Sequence, residues 1–165
     1  MAKCGSGNQV VATGNKLPAG ARVFVLSGAS QKGKSTTLNK LASHMAFQVG
    51  LPRTVGPNPP SQGTNRHRDA QYVFVDNQNG IKIGISTAGD DAKQIKNGFS
   101  HFRKHGCDVC FIASKTSGDS IRQIERECHN ILIPQYQFLP CEYGKGKRTR
   151  NQVQSDVVAQ LYGMI

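Results

Sequence analysis

The stretch 22–46 constrains the fold more than any other part of the chain. It opens with an apolar run, residues 23–26, that is short enough for a buried strand. A glycine-bounded segment comes next. Apolar residues then recur at the spacing of a helix with one buried face: Leu38, Leu41, Ala42, Met45 and Val49. Because strand, loop and helix follow one another directly, the stretch predicts the first β-loop-α unit of an α/β domain.

The loop of this unit has the pattern glycine, any four residues, then Gly-Lys-Ser. Its glycines allow backbone N–H groups to turn inward around phosphate oxygens, and the helix start adds the positive end of a dipole. Lys34 is expected to reach the β- and γ-phosphates, and the Ser35 hydroxyl to bind Mg²⁺. We therefore predict a nucleoside triphosphate site formed by Gly28, Ala29, Ser30, Gln31, Lys32, Gly33, Lys34, Ser35 and Thr36.

Length and charge restrict the class of protein. With 165 residues, the chain is long enough for one domain with a real core, and we expect a flexible arm at 1–21 and a single domain at 22–165. The net charge of +11 favours a polyanionic partner such as nucleic acid. The five cysteines show no disulfide spacing, and no membrane-length run or signal-peptide core is present. We therefore expect a cytoplasmic protein with no membrane partner.

The proline-rich segment 50–69 predicts a long loop without regular structure, and loops of this length are usually functional. Thr54 or Thr64 could supply a second Mg²⁺ ligand there. Arg66 or Arg68 could contact phosphate. The alternative is a solvated surface loop with scattered bases.

An Asn-Gly turn separates two strand-like runs, 71–76 and 81–87, and predicts that they form an antiparallel hairpin. Asp76 would then lie at the far end of the sheet from the phosphates, so we reject it as a metal ligand. The second strand instead delivers Asp90 and Asp91 to the phosphates, with Asp90 the preferred partner of Ser35 at the metal. The alternative is that both aspartates only cap the helix that follows.

The rest of the chain continues the alternation of helices and strands. A helix carries Ile95, Phe99 and Phe102 and stops at Gly106, and the apolar run 108–113 predicts a central strand. Lys115 follows that strand on the ligand side and could stabilise developing charge. A further helix, a fifth strand and a last helix complete the predicted three-layer α/β domain, with a mostly parallel sheet and one antiparallel hairpin strand.

Two other groups of residues suggest different chemistry. The set His101, His105, Cys107 and Cys110 has zinc-like spacing, but Cys110 falls inside an apolar strand, so buried cysteines are the favoured interpretation. The basic run 145–150 could contact nucleic acid or phosphate, or form a solvated turn.

Over residues 22–161 the chain resembles the P-loop nucleoside-triphosphatase superfamily. The sequence Ser86-Thr87-Ala88-Gly89 is similar to the Asp-Thr-Ala-Gly segment of Ras-like GTPases, with Ser86 in place of the metal-holding Asp and Asp90 in the place of the water-positioning glutamine. The guanine-specifying Asn-Lys-x-Asp motif is absent, so we expect ATP, with GTP less favoured.

A second branch, the nucleoside-monophosphate kinases, is similar in residues 26–36, although Gln31 replaces a usual glycine. This resemblance implies a lid arginine, for which Arg148 and Arg150, or Arg122 and Arg126, are candidates. For the last two, a solvated helix face matched with glutamates is the favoured interpretation.

The leading hypothesis is an Mg²⁺-dependent NTPase that cleaves the β–γ bond of ATP, with Lys34, Asp90 and Asp91 as catalytic candidates. A kinase that transfers the γ-phosphoryl group, and a regulatory module that hydrolyses nucleotide poorly, remain alternatives.

Overall fold

The computed structural model describes residues 17–28, 33–60, 69–130, 136–140 and 150–165. Six strands are present: β1 (Arg22–Ser27), β2 (Arg53–Val55), β3 (Gln71–Asp76), β4 (Ile81–Ser86), β5 (Val109–Ser114) and β6 (Tyr136–Pro140). Four α-helices accompany them: α1 (Lys34–Ser43), α2 (Ala92–His105), α3 (Asp119–Asn130) and α4 (Arg150–Gly163). A π-helical turn, His44–Val49, continues α1. The domain is therefore α/β, as predicted.

The sheet is mixed, with strand order β2-β3-β4-β5-β1-β6. β4, β5, β1 and β6 pair in parallel, whereas β2 with β3 and β3 with β4 pair antiparallel. The expectation of a mostly parallel sheet with one antiparallel hairpin strand is corrected to this mixed sheet, because β2 adds a second antiparallel pairing. The apolar strand β5 lies between β1 and β4, which is the central place that its sequence predicted.

The predicted hairpin of β3 and β4 is confirmed. Asp76 pairs with Ile81 across the turn, and Gly80 has a φ of 72°, a left-handed conformation that favours glycine. The Asp76 carboxylate accepts a hydrogen bond from the backbone N–H of Gln78 within the turn. Asp76 therefore lies beside the beginning of β4, at the opposite end of the strands from Ser86.

Strand β2 shows that part of the segment 50–69 is regular structure, so the prediction of a loop throughout was wrong. Arg53 pairs with Phe74 and Val55 pairs with Val73, with a register shift between the two pairs. Just before the strand, the N–H of Val75 donates to the carbonyl of Pro52 over 3.0 Å. The free edge of β3 supplies the hydrogen bonds that stabilise so short a strand.

Two helices cover each face of the sheet, which confirms the three layers. The first core lies under α1 and α4 and includes Phe24, Leu26, Leu38, Leu41, Phe74, Ile83, Ile85, Phe111 and Leu161. The second lies under α2 and α3 and includes Val23, Val25, Ile95, Phe99, Phe102, Cys110, Ile112, Ile124 and Cys128. Alternate residues of β1, β3 and β5 enter the two cores, as expected for strands covered on both faces.

The π-helical turn changes which residues of the first helix are buried. Val49, which the helical spacing placed on the buried face, is 38% exposed, and Phe47 is 58% exposed. The wider π-helical turn adds residues per turn and rotates the end of the helix out of register. The prediction was therefore right for Leu38, Leu41 and Met45 and wrong for Val49.

The ordered domain begins before β1. Leu17 and Ala21, which we had assigned to the arm, are buried in the second core, and the rest of the predicted arm, residues 1–16, lies outside the described residues. Within the described ranges, no helix combines the length and the apolar character that are needed to cross a bilayer.

Candidate functional site

The carboxyl ends of β1, β4 and β5 meet at one edge of the sheet. Ser27 is in register with Ser114, and Ser86 with Ile112, so the segments that follow these strands begin beside one another. We call this place the carboxyl edge and define it by Gly28, Lys34, Ser35, residues 87–91 and Lys115. It brings together the described members of the predicted site from three separate parts of the chain.

Lys34 is the first residue of α1, and it turns back toward the end of β1. Its side chain is buried, and Nζ donates a hydrogen bond to the carbonyl oxygen of Gly28 over 2.8 Å. The N–H of Gly28 in turn donates to the carbonyl of Ser114 over 3.1 Å. The ammonium group therefore lies at the base of the predicted phosphate loop, next to the end of β5.

Gly33 forms the junction between the predicted phosphate loop and α1. Its φ of 79° is left-handed, which explains the need for glycine, and its carbonyl accepts hydrogen bonds from the N–H and the hydroxyl of Thr37, each at 2.8 Å. Four of the predicted nucleotide-binding residues, Ala29, Ser30, Gln31 and Lys32, lie outside the described residues.

The Ser35 hydroxyl connects α1 to the segment after β4. It donates to the carbonyl oxygen of Thr87 over 2.8 Å. Thr87 is itself held by Ala70: its N–H donates to the Ala70 carbonyl over 3.0 Å, and its hydroxyl accepts from the Ala70 N–H over 2.8 Å. Hydrogen bonds through Thr87 and Ala70 therefore connect Ser35 to the start of β3.

The two aspartates after β4 have different environments. The Asp91 carboxylate accepts a hydrogen bond from the Gln94 N–H over 2.8 Å and is the N-cap of α2. The side chain of Gln94 accepts in return from the Asp90 N–H over 2.7 Å. Asp91 thus has the capping role that we left open as the alternative, and both aspartates are exposed.

Ser86 faces away from α1. A Cβ atom built on Gly98 of α2 would lie 2.9 Å from the Ser86 Oγ, so this side chain lies beneath α2. It is fully buried, and its hydroxyl has no hydrogen-bond partner among the described residues. The backbone carbonyl of Thr87, and not the side chain of Ser86, therefore meets Ser35.

Gly89 lies directly against β5. A Cβ atom built at this position would be 1.7 Å from the carbonyl oxygen of Ala113, a distance that no side chain can adopt. The sequence contained the glycine but not the reason for it, since the neighbour that requires it is more than twenty residues away in the chain. Gly89 is thus a packing residue of the carboxyl edge that sequence reasoning did not identify as such.

Several predicted residues are not brought to the carboxyl edge. Thr54 lies on β2, the edge strand two positions from β4, and its hydroxyl donates to the carbonyl of Val73 within the sheet over 3.4 Å. Arg122 pairs with Asp119 on the exposed face of α3, which fits the solvated-helix interpretation. Lys115 does belong to the edge, because it directly follows β5. Thr64, Arg66, Arg68 and Arg148 lie outside the described residues, as does the side chain of Arg150.

The histidines and cysteines of the zinc-like set separate in the structure. Cys107 and Cys110 are fully buried in the second core, and burial raises the pKa of the Cys110 thiol. His101 and His105 instead line a surface groove beside α2. Cys128 is buried as well, and burial followed by the charge of Glu127 raises its pKa to about 12. The two cysteines therefore belong to the core, and the two histidines belong to the groove.

The comparison with known proteins gives one distant relative. Endonuclease MutS2 of Borreliella burgdorferi is 28% identical to this chain over 123 residues, which are 74% of this chain and 14% of that protein. The chain thus corresponds to a small part of the relative's length. No family model matches the chain, and no solved structure does.

Proposed function

We propose that the carboxyl edge binds a nucleoside triphosphate, most favourably ATP, together with Mg²⁺, as in P-loop nucleoside triphosphatases. The observation that carries the proposal is the position of Lys34, whose ammonium group lies 2.8 Å from the Gly28 carbonyl at the junction of β1, the glycine-bounded loop and α1. An ammonium group there, next to the N-terminus of a helix, supplies the positive potential that phosphate oxygens require.

The other residues of the edge have roles that follow from their chemistry. The Ser35 hydroxyl and the Asp90 carboxylate are oxygen donors, which Mg²⁺ prefers, so the residues present fit this ion. Mg²⁺, when bound, supplies charge neutralisation to the β- and γ-phosphates. Lys115 directly follows β5, and its proposed role is to stabilise charge on the terminal phosphate. Asp91 supports the site indirectly, by capping α2.

The decisive experiment is calorimetric titration of a non-hydrolysable ATP analogue with Mg²⁺ into the parent protein and into Lys34→Ala. Removing one partner of a desolvated charged contact costs about 2–5 kcal/mol, so affinity should fall roughly 30-fold or more. Lys93→Ala, an exposed lysine on α2, is the matched control and should bind like the parent. Unchanged affinity in Lys34→Ala would reject the proposed site.

A weakly hydrolysing nucleotide-binding module is the second candidate, and one observation favours it. Ser35 donates to a neutral carbonyl, and one of the two nearby aspartates is engaged as a helix cap. Measuring ADP formation with and without candidate acceptors separates three outcomes. Turnover without acceptor indicates a hydrolase, acceptor-dependent turnover a kinase, and binding without turnover a module.

The base preference follows from the absent guanine motif. We expect ATP to bind at least as tightly as GTP, which competition between the two against a fluorescent analogue would measure. A clear preference for GTP would instead favour the GTPase branch of the superfamily.

Nucleic acid is the polyanionic partner that we propose for the whole protein. The net charge of +11 supports it. Binding to a labelled oligonucleotide should weaken linearly on a log–log plot against salt concentration, and binding that is absent at low salt would reject this partner.

A further inference from the structure

A groove of about 800 Å³ runs along α2. Residues of α2 form one wall, among them Asn97, His101, Lys104 and His105, and the segment that enters β3 forms the other, with Asp69 and Gln71. We call it the α2 groove, defined by these residues. Ala88 is shared with the carboxyl edge, but the α2 residues of the groove lie outside that edge and require their own explanation.

Basic groups gather at the far end of the α2 groove. The rings of His101 and His105 lie 4.9 Å apart between centroids, and Lys104 lies beside them on the same wall. The pKa of His105 is lowered by its partial burial, then by Lys104, then by Lys82 of β4. The pKa of His101 is lowered first by burial, and its neighbours His105 and Lys104 lower it further. These groups thus lie close enough to disfavour one another's charged forms.

Acidic side chains do little to balance this cluster. Among the described residues, the ion pair of α2 with another helix is Arg103 with Glu127, and Lys104 takes part in none. Asp69 is the one carboxylate among the described residues that line the groove, and it lies on the opposite wall. The last carbonyls of α2 are capped by the N–H groups of Gly106 and Cys107, which limits the negative potential of the helix end.

The hydrogen bond of His101 determines when its second ring nitrogen can donate. Its Nε2 contacts the backbone carbonyl of Tyr72 at 3.1 Å, and since a carbonyl can only accept, Nε2 carries a proton. Its Nδ1 therefore becomes a donor only when the ring takes up a second proton. An anion that stabilises the charged ring supplies the reason for that uptake.

We propose that the α2 groove binds the phosphate group of a second ligand, distinct from the triphosphate at the carboxyl edge. Lys104 supplies a permanent charge, and His101 and His105 supply donors that appear as phosphate binds. Asn97, exposed on the same wall, adds a neutral amide donor. Ala88 lines the near end of the groove and belongs to the carboxyl edge, so the two sites are neighbours.

The test is a titration of inorganic phosphate at constant ionic strength, followed by NMR signals of the histidine rings. It is carried out in Lys34→Ala, so that the phosphate loop does not contribute. We expect a saturable shift of the His101 and His105 signals. Lys104→Gln should weaken binding at least threefold, and Asp69→Asn should strengthen it, because a like charge leaves the opposite wall.

Lys96→Gln is the matched control, since Lys96 is exposed on α2 and does not line the groove. No saturable shift, or equal weakening in Lys104→Gln and Lys96→Gln, would overturn the proposal. Displacement of phosphate by AMP identifies a monoester ligand, and displacement by a short thymidine oligonucleotide identifies a diester. Because triphosphate binding to the parent is measured separately, failure of either site is visible without the other.

Discussion

Helices α1 and α2 both pack on the sheet, but they bury different kinds of residue. α1 buries polar side chains alongside its leucines, namely Lys34, Thr36, Thr37, Asn39 and Ser43. α2 buries the large apolar side chains Ile95, Phe99 and Phe102 and turns most of its polar residues to solvent. The contrast shows that α2 contributes mainly apolar packing, whereas much of the buried surface of α1 consists of hydrogen-bonded groups. Substitutions in the two helices should therefore have different consequences.

The largest effect on stability is expected for Phe102→Ala in α2. Phe102 is fully buried and lies against Gly84 of β4, and truncating such a residue costs about 3–5 kcal/mol. Urea unfolding would measure this loss, while nucleotide affinity of the remaining folded protein should be unchanged. Phe47→Ala, at an exposed position, is the control and should change stability by less than about 0.5 kcal/mol. Equal losses in the two variants would contradict the assignment of the α2 core.

The next effect concerns Tyr72, which connects the two helices through β3. Its hydroxyl donates to the Asn39 side chain of α1 over 2.6 Å, and its backbone carbonyl contacts His101 of α2. Tyr72→Phe removes the first contact and retains the ring, and a buried acceptor that loses its donor costs about 1–3 kcal/mol. Urea unfolding of Tyr72→Phe and of Asn39→Ala, alone and combined, should show coupling between the two sites. Strict additivity would mean that the contact contributes nothing.

A smaller effect separates the two aspartates at the start of α2. Asp91→Ala should cost about 1 kcal/mol because a helix cap is lost, whereas Asp91→Asn, itself a good cap, should be nearly neutral. Asp90→Asn should leave stability unchanged but shift the Mg²⁺ dependence of nucleotide binding to higher concentration. Asp76→Asn, at the opposite end of the strands from Ser86, is the control for the Mg²⁺ titration. A shift in Asp76→Asn alone would contradict the placement of the metal.

The smallest effect is a dependence of stability on pH. Burial lowers the pKa of His101 below its ordinary value, so the unfolded chain binds a proton at this site before the folded chain does. Stability is complete above the unfolded pKa of about 6.5 and declines as pH falls toward the lowered value. Chemical denaturation between pH 7 and 5 should show this decline, and His101→Asn should flatten it. The same slope in both proteins would exclude His101 as the cause.

Local features of the fold could be predicted from the sequence, because each depends on neighbours in the chain. The Asn79-Gly80 turn predicted the hairpin, and Gly106, with a φ of 62°, ends α2 where the spacing indicated. The elements that were missed depend on distant partners. β2 has three residues, too few to show a period, and the free edge of β3 determines where it forms. The π-helical turn was also missed, because the apolar residues continue at α-helical spacing through it to Val49.

The candidate site shows the same division. The pattern around Lys34 and Ser35 identified them from residues close in sequence, and the structure places both at the carboxyl edge. The sequence could not show that Ser86 faces α2, because this depends on how α2 packs against β4. For Asp91 it left two roles open, and the structure shows the local one, a cap bonded to the Gln94 N–H three residues later. The α2 groove was also missed, since its walls are separated by more than twenty residues of chain.

Gly89 determines how closely the ends of two strands approach each other. Its contact with the Ala113 carbonyl leaves no room for a methyl group, so the smallest possible substitution, Gly89→Ala, must move the segment after β4 away from β5. Thr87, two residues earlier, would move with it and carry away the acceptor of the Ser35 hydroxyl. Glycine is therefore required at this position. The distance between the segment after β4 and the end of β5 can be this short because Gly89 has a hydrogen atom in place of a Cβ atom.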